Sequence, residues 1–241
     1  ASDVYKRQMY YFAQREAVES VIYLYEVKQV KDRYDLMKFD STGLVSSGMF
    51  PENWLRFVLK LATGAGKTKV MSLLIAWSYF HKTYEPNSTL SRNILLIAPN
   101  IIVLDRLRND FDGLKIFRED PIIPDNGEYG RDWRSDFNMT LHIQDEVFIS
   151  RNTGNLFLTN IHRVYNGDDV IPSIDDVDTS GYFLGKKGVA KTTDSVLDLG
   201  EILKDLEELV VINDEAHHVH DEDMVWFKSI ENINTRLCQK G

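Results

Sequence analysis

The sequence predicts an α/β protein with a mainly parallel sheet and helices on both faces. Three short runs are mainly apolar, at residues 56–62, 93–98 and 208–213, and segments with the apolar spacing of helices lie between and after them. Strands that are apolar on both sides belong to parallel sheets buried on both faces. Ligands bind such sheets at the carboxyl ends of the strands. The polar motifs described below fall at those ends.

The individual elements follow from apolar periodicity and from the positions of Gly and Pro. An amphipathic pattern at the start of the chain predicts a helix before the first strand, and no internal repeat is visible. We expect irregular structure at residues 41–54 and 112–138. The predicted helices cover residues 12–30, 67–81, 101–111, 199–206 and 224–237, and the predicted strands cover residues 56–62, 93–98, 141–143, 155–159 and 208–213.

Composition excludes several classes of protein. The chain has 241 residues, of which 43% are hydrophobic, and this is too apolar for a disordered protein. No apolar run approaches the length of a membrane-spanning helix, and the start lacks the layout of a signal peptide. The single cysteine, Cys238, excludes an internal disulfide. We therefore expect a cytoplasmic protein without a membrane partner.

The negative charge is concentrated in one segment. Lys and Arg number 28 and Asp and Glu number 37, which gives a net charge of −9. Residues 1–164 carry 21 basic and 20 acidic side chains, whereas residues 165–223 carry 4 basic and 16 acidic ones. The acidic total argues against a protein that coats nucleic acid through a basic surface. The near-neutral first two-thirds of the chain weakens that objection for a partner that binds there.

The ends of the sequence indicate a fragment. The chain does not begin with Met, and residues 2–8 resemble read-through of a sequencing adapter. We therefore expect residues 1–8 to be a non-native leader and residues 9–241 to form one domain. Within it, residues 165–198 are rich in Asp and Gly and are interpreted as an acidic surface insertion.

A glycine-containing loop joins the first predicted strand to the helix that follows it. Glycine leaves room for backbone N–H groups to approach phosphate, and a helix N-terminus adds positive charge. In this pattern Lys67 reaches the β- and γ-phosphates of ATP, and the Thr68 hydroxyl binds Mg²⁺. Leu61 departs from the pattern, which has Gly at that place, and an ordinary glycine turn is the alternative. The loop consists of Thr63, Gly64, Ala65, Gly66, Lys67 and Thr68.

Two carboxylates follow the third apolar run directly. Asp214 is suited to hold Mg²⁺, and Glu215 is suited to orient and deprotonate an attacking water. A charged turn at a strand end is the alternative. His217, His218 and His220 lie close by, but without cysteines or metalloprotease spacing they do not predict a zinc site.

These motifs resemble a known family. The sequence of residues 62–68 resembles motif I of superfamily-two helicases and translocases, and residues 214–217 (Asp-Glu-Ala-His) resemble motif II. Flanking stretches at residues 95–107, 156–163, 191–195 and 211–218 are similar to DEAD/DEAH-box proteins of the type III restriction enzyme Res subunit. The resemblance covers about residues 10–240. It implies an N-terminal RecA-like P-loop NTPase domain, with the second motor domain and the nuclease domain absent from this sequence.

The resemblance implies roles for further residues. Gln14 matches the upstream glutamine motif that reads the adenine edge, although it is equally explained as a polar residue on an amphipathic helix. His217 would couple the nucleotide site to other motifs. The residues that match motifs contacting a nucleic-acid backbone are Pro99, Asn100, Thr159, Asn160 and His162. Arg106, Arg108 and Arg163 either add charge beside them or are ordinary solvated helix charges.

The sequence therefore predicts an ATP-dependent DNA helicase or translocase motor that uses ATP and Mg²⁺. The expected partners are duplex DNA, contacted through its backbone, a second RecA-like domain of the same chain, and a DNA-methylation and specificity subunit. Two alternatives stay open. One is a general DNA or RNA helicase of the same superfamily, and the other is a nucleotide-gated nucleic-acid-binding module without turnover of its own.

Overall fold

In the computed structural model, the described residues are 10–44, 46, 54–85, 87–124, 127, 129–143, 153–160, 206–214 and 225–238. They confirm an α/β fold with a parallel sheet. The helices are α1 (Phe12–Ile22, continued by a π-helical turn at Tyr23–Val27), α2 (Arg33–Met37), α3 (Lys67–Tyr84), α4 (Ile101–Phe111), α5 (Lys115–Arg118), α6 (Trp133–Asp136) and α7 (Val225–Cys238). The strands are β1 (Asn93–Ala98), β2 (Met139–Ile143), β3 (Gly154–Asn160) and β4 (Val210–Asn213).

The four strands form one sheet in the order β2-β3-β1-β4, and all three pairings are parallel. The register places Ala98 opposite Asn160 and Ile97 opposite Asn213. The carboxyl ends of β1, β3 and β4 therefore lie at one edge of the sheet. This edge carries several of the predicted site residues.

The hydrophobic core lies between the sheet and helices α3, α4 and α5. Ile75 of α3, Leu107 of α4 and Phe117 of α5 are fully buried in one cluster with Leu96 of β1. On the opposite side of β1, Leu95 and Ile97 are also buried. Burial on both sides explains why this strand is apolar from Ile94 to Ala98.

Helix α1 packs against helix α3 and places the N-terminal segment beside the loop that precedes α3. The indole N–H of Trp77 donates a 2.6 Å hydrogen bond to Glu26, and the rings of Trp77 and Tyr25 meet edge to face at 5.4 Å.

Tyr10 donates to the carbonyl of Pro121, and its ring lies under the ammonium of Lys69. Burial, with the nearby carboxylate of Asp120, raises the pKa of Tyr10, which favours the protonated donor.

Most predicted elements of the described chain are confirmed, and β1 and α4 have the predicted bounds. The strand predicted at 56–62 is wrong, because residues 55–62 form no regular element and Val58 is 47% exposed. The segment 112–138, predicted to be irregular, contains α5 and α6.

The acidic insertion at 165–198 and the helix predicted at 199–206 lie outside the described residues, apart from Leu206. No helix in the described part of the chain has both the length and the apolar character needed to span a bilayer.

Candidate nucleotide and nucleic-acid site

The predicted phosphate loop is a tight turn that leads directly into α3. Gly64 and Gly66 have φ angles of +79° and +81°, in the left-handed region that favours glycine. The N–H of Ala65 donates to the carbonyl of Ala62 at 3.2 Å, and the Gly66 carbonyl accepts the first helical bonds. The first turn of α3 holds Lys67 and has no acidic side chain of its own, so the helix's own residues do not offset the positive charge of its N-terminus.

The side chains of this loop are accessible to differing degrees. Thr63 and Gly64 are exposed, whereas Ala65 and the side chains of Lys67 and Thr68 are half-buried. Thr68 is in the first turn of α3, and its carbonyl accepts a 2.8 Å hydrogen bond from Ser72. The helix start is therefore fixed, while the loop before it is open to a ligand.

Gln14 is placed against the phosphate loop. It is 6% exposed, and its side-chain amide donates a 2.9 Å hydrogen bond to the carbonyl of Ala65. Its amide oxygen accepts from the N–H of Tyr11 at 3.1 Å. A Cβ on Gly66 would lie 2.2 Å from the Gln14 nitrogen, so a side chain there would displace the Gln14 amide, and the φ angle of +81° also favours glycine. Gln14 thus connects α1 to the loop through its side chain.

Asp214 lies at the carboxyl end of β4 and is buried, with 5% of its surface exposed. Its N–H donates a 3.0 Å hydrogen bond to the carbonyl of Ile97, which extends the pairing of β4 with β1 by one residue. The sheet therefore fixes the backbone from which this carboxylate projects. Glu215 and His217 lie outside the described residues.

The residues predicted to contact nucleic acid lie at the ends of β1 and β3. Asn100 is exposed and caps α4 by accepting a 2.9 Å hydrogen bond from the N–H of Val103, and Pro99 beside it is half-buried. Thr159 and Asn160 are only 7% and 6% exposed. Sequence reasoning placed all four together, and the register of β1 and β3 does bring them to one edge. His162 lies outside the described residues.

The residue types that the sequence predicts as metal ligands, a hydroxyl at Thr68 and a carboxylate at Asp214, fit a Mg²⁺ ion. A threonine hydroxyl and a carboxylate are hard oxygen ligands, and Mg²⁺ typically takes one or two of them and completes its shell with phosphate and water. The buried position of Asp214 suits a group whose charge a cation would balance. Across the described ranges, no three His, Cys, Asp or Glu side chains cluster as a protein-only metal site would require.

One neighbour of Asp214 was not predicted from the sequence. Arg106 of α4 extends to the edge of the sheet, where its Nη2 atom lies 3.5 Å from Oδ2 of Asp214. The sequence suggests two roles for Arg106, a positive charge that contacts nucleic acid or an ordinary solvated side chain, and neither involves Asp214. The missing signal was the adjacency of β1 and β4, which places the helix after β1 beside Asp214.

The model of the family described as Type III restriction enzyme, res subunit, matches residues 9–240. Neither the curated proteins nor the solved structures gave a match. The match spans nearly the whole sequence, so the chain belongs to this family of helicase-like, ATP-dependent motor domains with a RecA-like P-loop fold.

Proposed function

We propose that this member of the res-subunit family is the N-terminal motor domain of a DNA translocase or helicase, in which ATP hydrolysis drives movement on DNA. The observation that carries the proposal is the glycine-bounded loop at the start of α3. It combines two left-handed glycines, an uncapped helix N-terminus and Lys67 in the first turn. This arrangement suits the phosphates of a nucleotide.

In the proposed reaction, water attacks the γ-phosphorus of ATP while the bond from that phosphorus to the β,γ-bridging oxygen breaks, which releases ADP and inorganic phosphate. The backbone of Thr63, Gly64, Ala65 and Gly66, together with Lys67, binds and orients the phosphates, which lowers the cost of concentrating negative charge there. Thr68 and Asp214 would hold Mg²⁺, which supplies charge neutralisation when bound. Glu215 positions the water and accepts its proton.

The same edge of the sheet supports the proposed coupling to nucleic acid. Pro99 and Asn100 follow β1, and Asp214 follows β4 beside it, so a nucleic-acid contact and a metal ligand project from adjacent strands. Asn100 is exposed and therefore accessible to a backbone phosphate. Thr159 and Asn160 are assigned a supporting role in the adjacent strand, because both are buried.

The broader context of the motor is also part of the proposal. We expect a second RecA-like domain to complete the site and a DNA-methylation and specificity subunit to be the partner. Both expectations fit a type III restriction enzyme. A general DNA or RNA helicase shares the same motifs. ATPase stimulation by duplex DNA against RNA separates these, since the restriction role requires DNA as the better stimulant.

Lys67→Ala tests the phosphate loop. We expect the affinity for ATP to fall at least 100-fold, because a charge-assisted contact to the phosphates contributes about 1.5–3 kcal/mol and the lysine makes several. Equilibrium binding of a fluorescent ATP analogue measures this. Lys115→Ala, at an exposed lysine of α5, is the matched control. Unchanged affinity in the Lys67 variant would remove the phosphate-loop assignment.

Glu215→Gln tests turnover separately from binding. The variant is expected to bind ATP normally, whereas its stimulated hydrolysis in the full-length protein should fall by at least 100-fold, because the water loses its base. Steady-state phosphate release with duplex DNA measures the loss. Normal turnover would sink the role of Glu215. Absence of turnover in the unsubstituted full-length protein with any polynucleotide would favour the binding-module alternative.

A further inference from the structure

We infer that Arg106 is a positioning residue for the Asp214 carboxylate, and that it fixes the orientation in which this carboxylate meets the metal of a bound nucleotide. The inference rests on the proposed function, in which Asp214 holds Mg²⁺. It begins from the 3.5 Å separation between Nη2 of Arg106 and Oδ2 of Asp214.

The topology brings the two residues together. β1 and β4 are adjacent and parallel, and α4 begins three residues after β1 ends. Helical side chains lean toward the N-terminus of their helix, so Arg106, in the second turn of α4, extends back toward the carboxyl edge of the sheet. Leu107, its neighbour in the chain, is fully buried and anchors this turn of α4 in the core. The guanidinium therefore projects from a rigid base.

The two partners differ sharply in exposure. The side chain of Asp214 is 4% exposed, whereas that of Arg106 is 60% exposed. An exposed pair of ions contributes little, but a buried carboxylate depends on its neighbours to balance its charge. Lys115 and Asp112 form a contrasting pair at 3.3 Å, in which both side chains are more than half exposed. Burial of the acid distinguishes the Arg106 pair from this one.

Orientation of a metal-binding carboxylate matters to the metal. Groups that contact a ligating side chain fix its direction, and their loss typically weakens metal affinity or activity by 10–100-fold. The planar guanidinium presents several N–H donors in a fixed geometry, which a lysine does not reproduce. Oδ2 of Asp214 faces Arg106, and the carboxylate would bind Mg²⁺ in the orientation that this contact holds.

The test measures binding, so it does not depend on turnover. Dissociation constants of a fluorescent ATP analogue are determined for the whole chain in Mg²⁺ and in EDTA. The constant in EDTA divided by the constant in Mg²⁺ isolates the contribution of the metal. For Arg106→Gln we expect this ratio to fall about ten-fold, toward that of Asp214→Asn, with the EDTA value within about two-fold of the unsubstituted chain. Arg106→Lys should lower the ratio about three-fold, and Lys115→Gln should leave it unchanged.

Each outcome decides the inference. It is overturned if either Arg106 variant keeps the ratio of the unsubstituted chain, or if the EDTA affinity falls as much as the Mg²⁺ affinity, which marks a general structural defect. If Arg106→Gln does not fold, the lysine variant decides alone. If Asp214→Asn also keeps the ratio, the metal assignment in the proposed function fails. If only the Arg106 variants keep it, the proposed function stands without this residue.

Discussion

Two apolar runs precede loops of the candidate site, but only one of them forms a strand. Residues 93–98 form β1 at the interior of the sheet, paired with β3 on one side and β4 on the other. Residues 56–62 are similarly apolar but pair with no strand among the described residues, and Val58 is 47% exposed. An apolar run specifies burial, but a strand also needs neighbours for its backbone N–H and C=O groups.

The loops after the two runs are held in correspondingly different ways. The Pro99–Asn100 turn is fixed by the sheet behind it and by the Asn100 cap on α4. The phosphate loop is fixed by α3 after it and by the side chain of Gln14. The first loop is therefore held by the sheet and a helix cap, and the second by the start of α3 and a side-chain contact from α1. Three substitutions test this difference, in decreasing order of expected effect.

Leu96→Ala should have the largest effect. Leu96 is fully buried in β1, and truncation of a buried leucine costs about 2–5 kcal/mol in the free energy of unfolding. Val58→Ala is the matched change in the other run and should cost less than about 1 kcal/mol. Urea unfolding followed by circular dichroism measures both. Equal costs would show that residues 56–62 are packed as tightly as β1.

Gly66→Ala should have an intermediate effect. A Cβ there would meet Gln14, and alanine at a φ of +81° is strained, for a total cost of about 1–3 kcal/mol. Gly64→Ala is the control, because its φ is similar but no atom lies within 4 Å of the added Cβ. The difference between their unfolding free energies measures the Gln14 contact. Gln14→Ala in the Gly66→Ala background should recover part of the loss, and no recovery would contradict the contact.

Gln14→Ala alone should have the smallest effect on stability, about 0.5–1.5 kcal/mol for its hydrogen bond to Ala65. Its effect on nucleotide affinity separates two roles. If Gln14 mainly holds the phosphate loop, the affinities for ATP and GTP fall by the same factor. If it reads the adenine edge, as the sequence motif predicts, only the preference for ATP is lost. Competition binding with both nucleotides gives the answer.

Much of the fold follows from local sequence signals. The periodicity of α3 and α4 predicts their first residues, and the continuous apolar run predicts β1 with its bounds. The glycines of the phosphate loop are predictable because two left-handed positions before a helix favour that residue. The absence of a strand at residues 56–62 was not predictable, since pairing depends on distant strands rather than on the run itself.

Local sequence signals are enough to predict the parallel α/β class, the helix after the phosphate loop and the polar residues at the strand ends. Which of those residues come into contact depends on the tertiary fold. The order β2-β3-β1-β4 places Asp214 beside the helix that carries Arg106, the packing of α1 on α3 turns Gln14 to the loop, and the sheet buries Thr159 and Asn160. Apolar spacing acts over a few residues, whereas these contacts join positions separated by 50 to 110 residues and depend on how the strands pair.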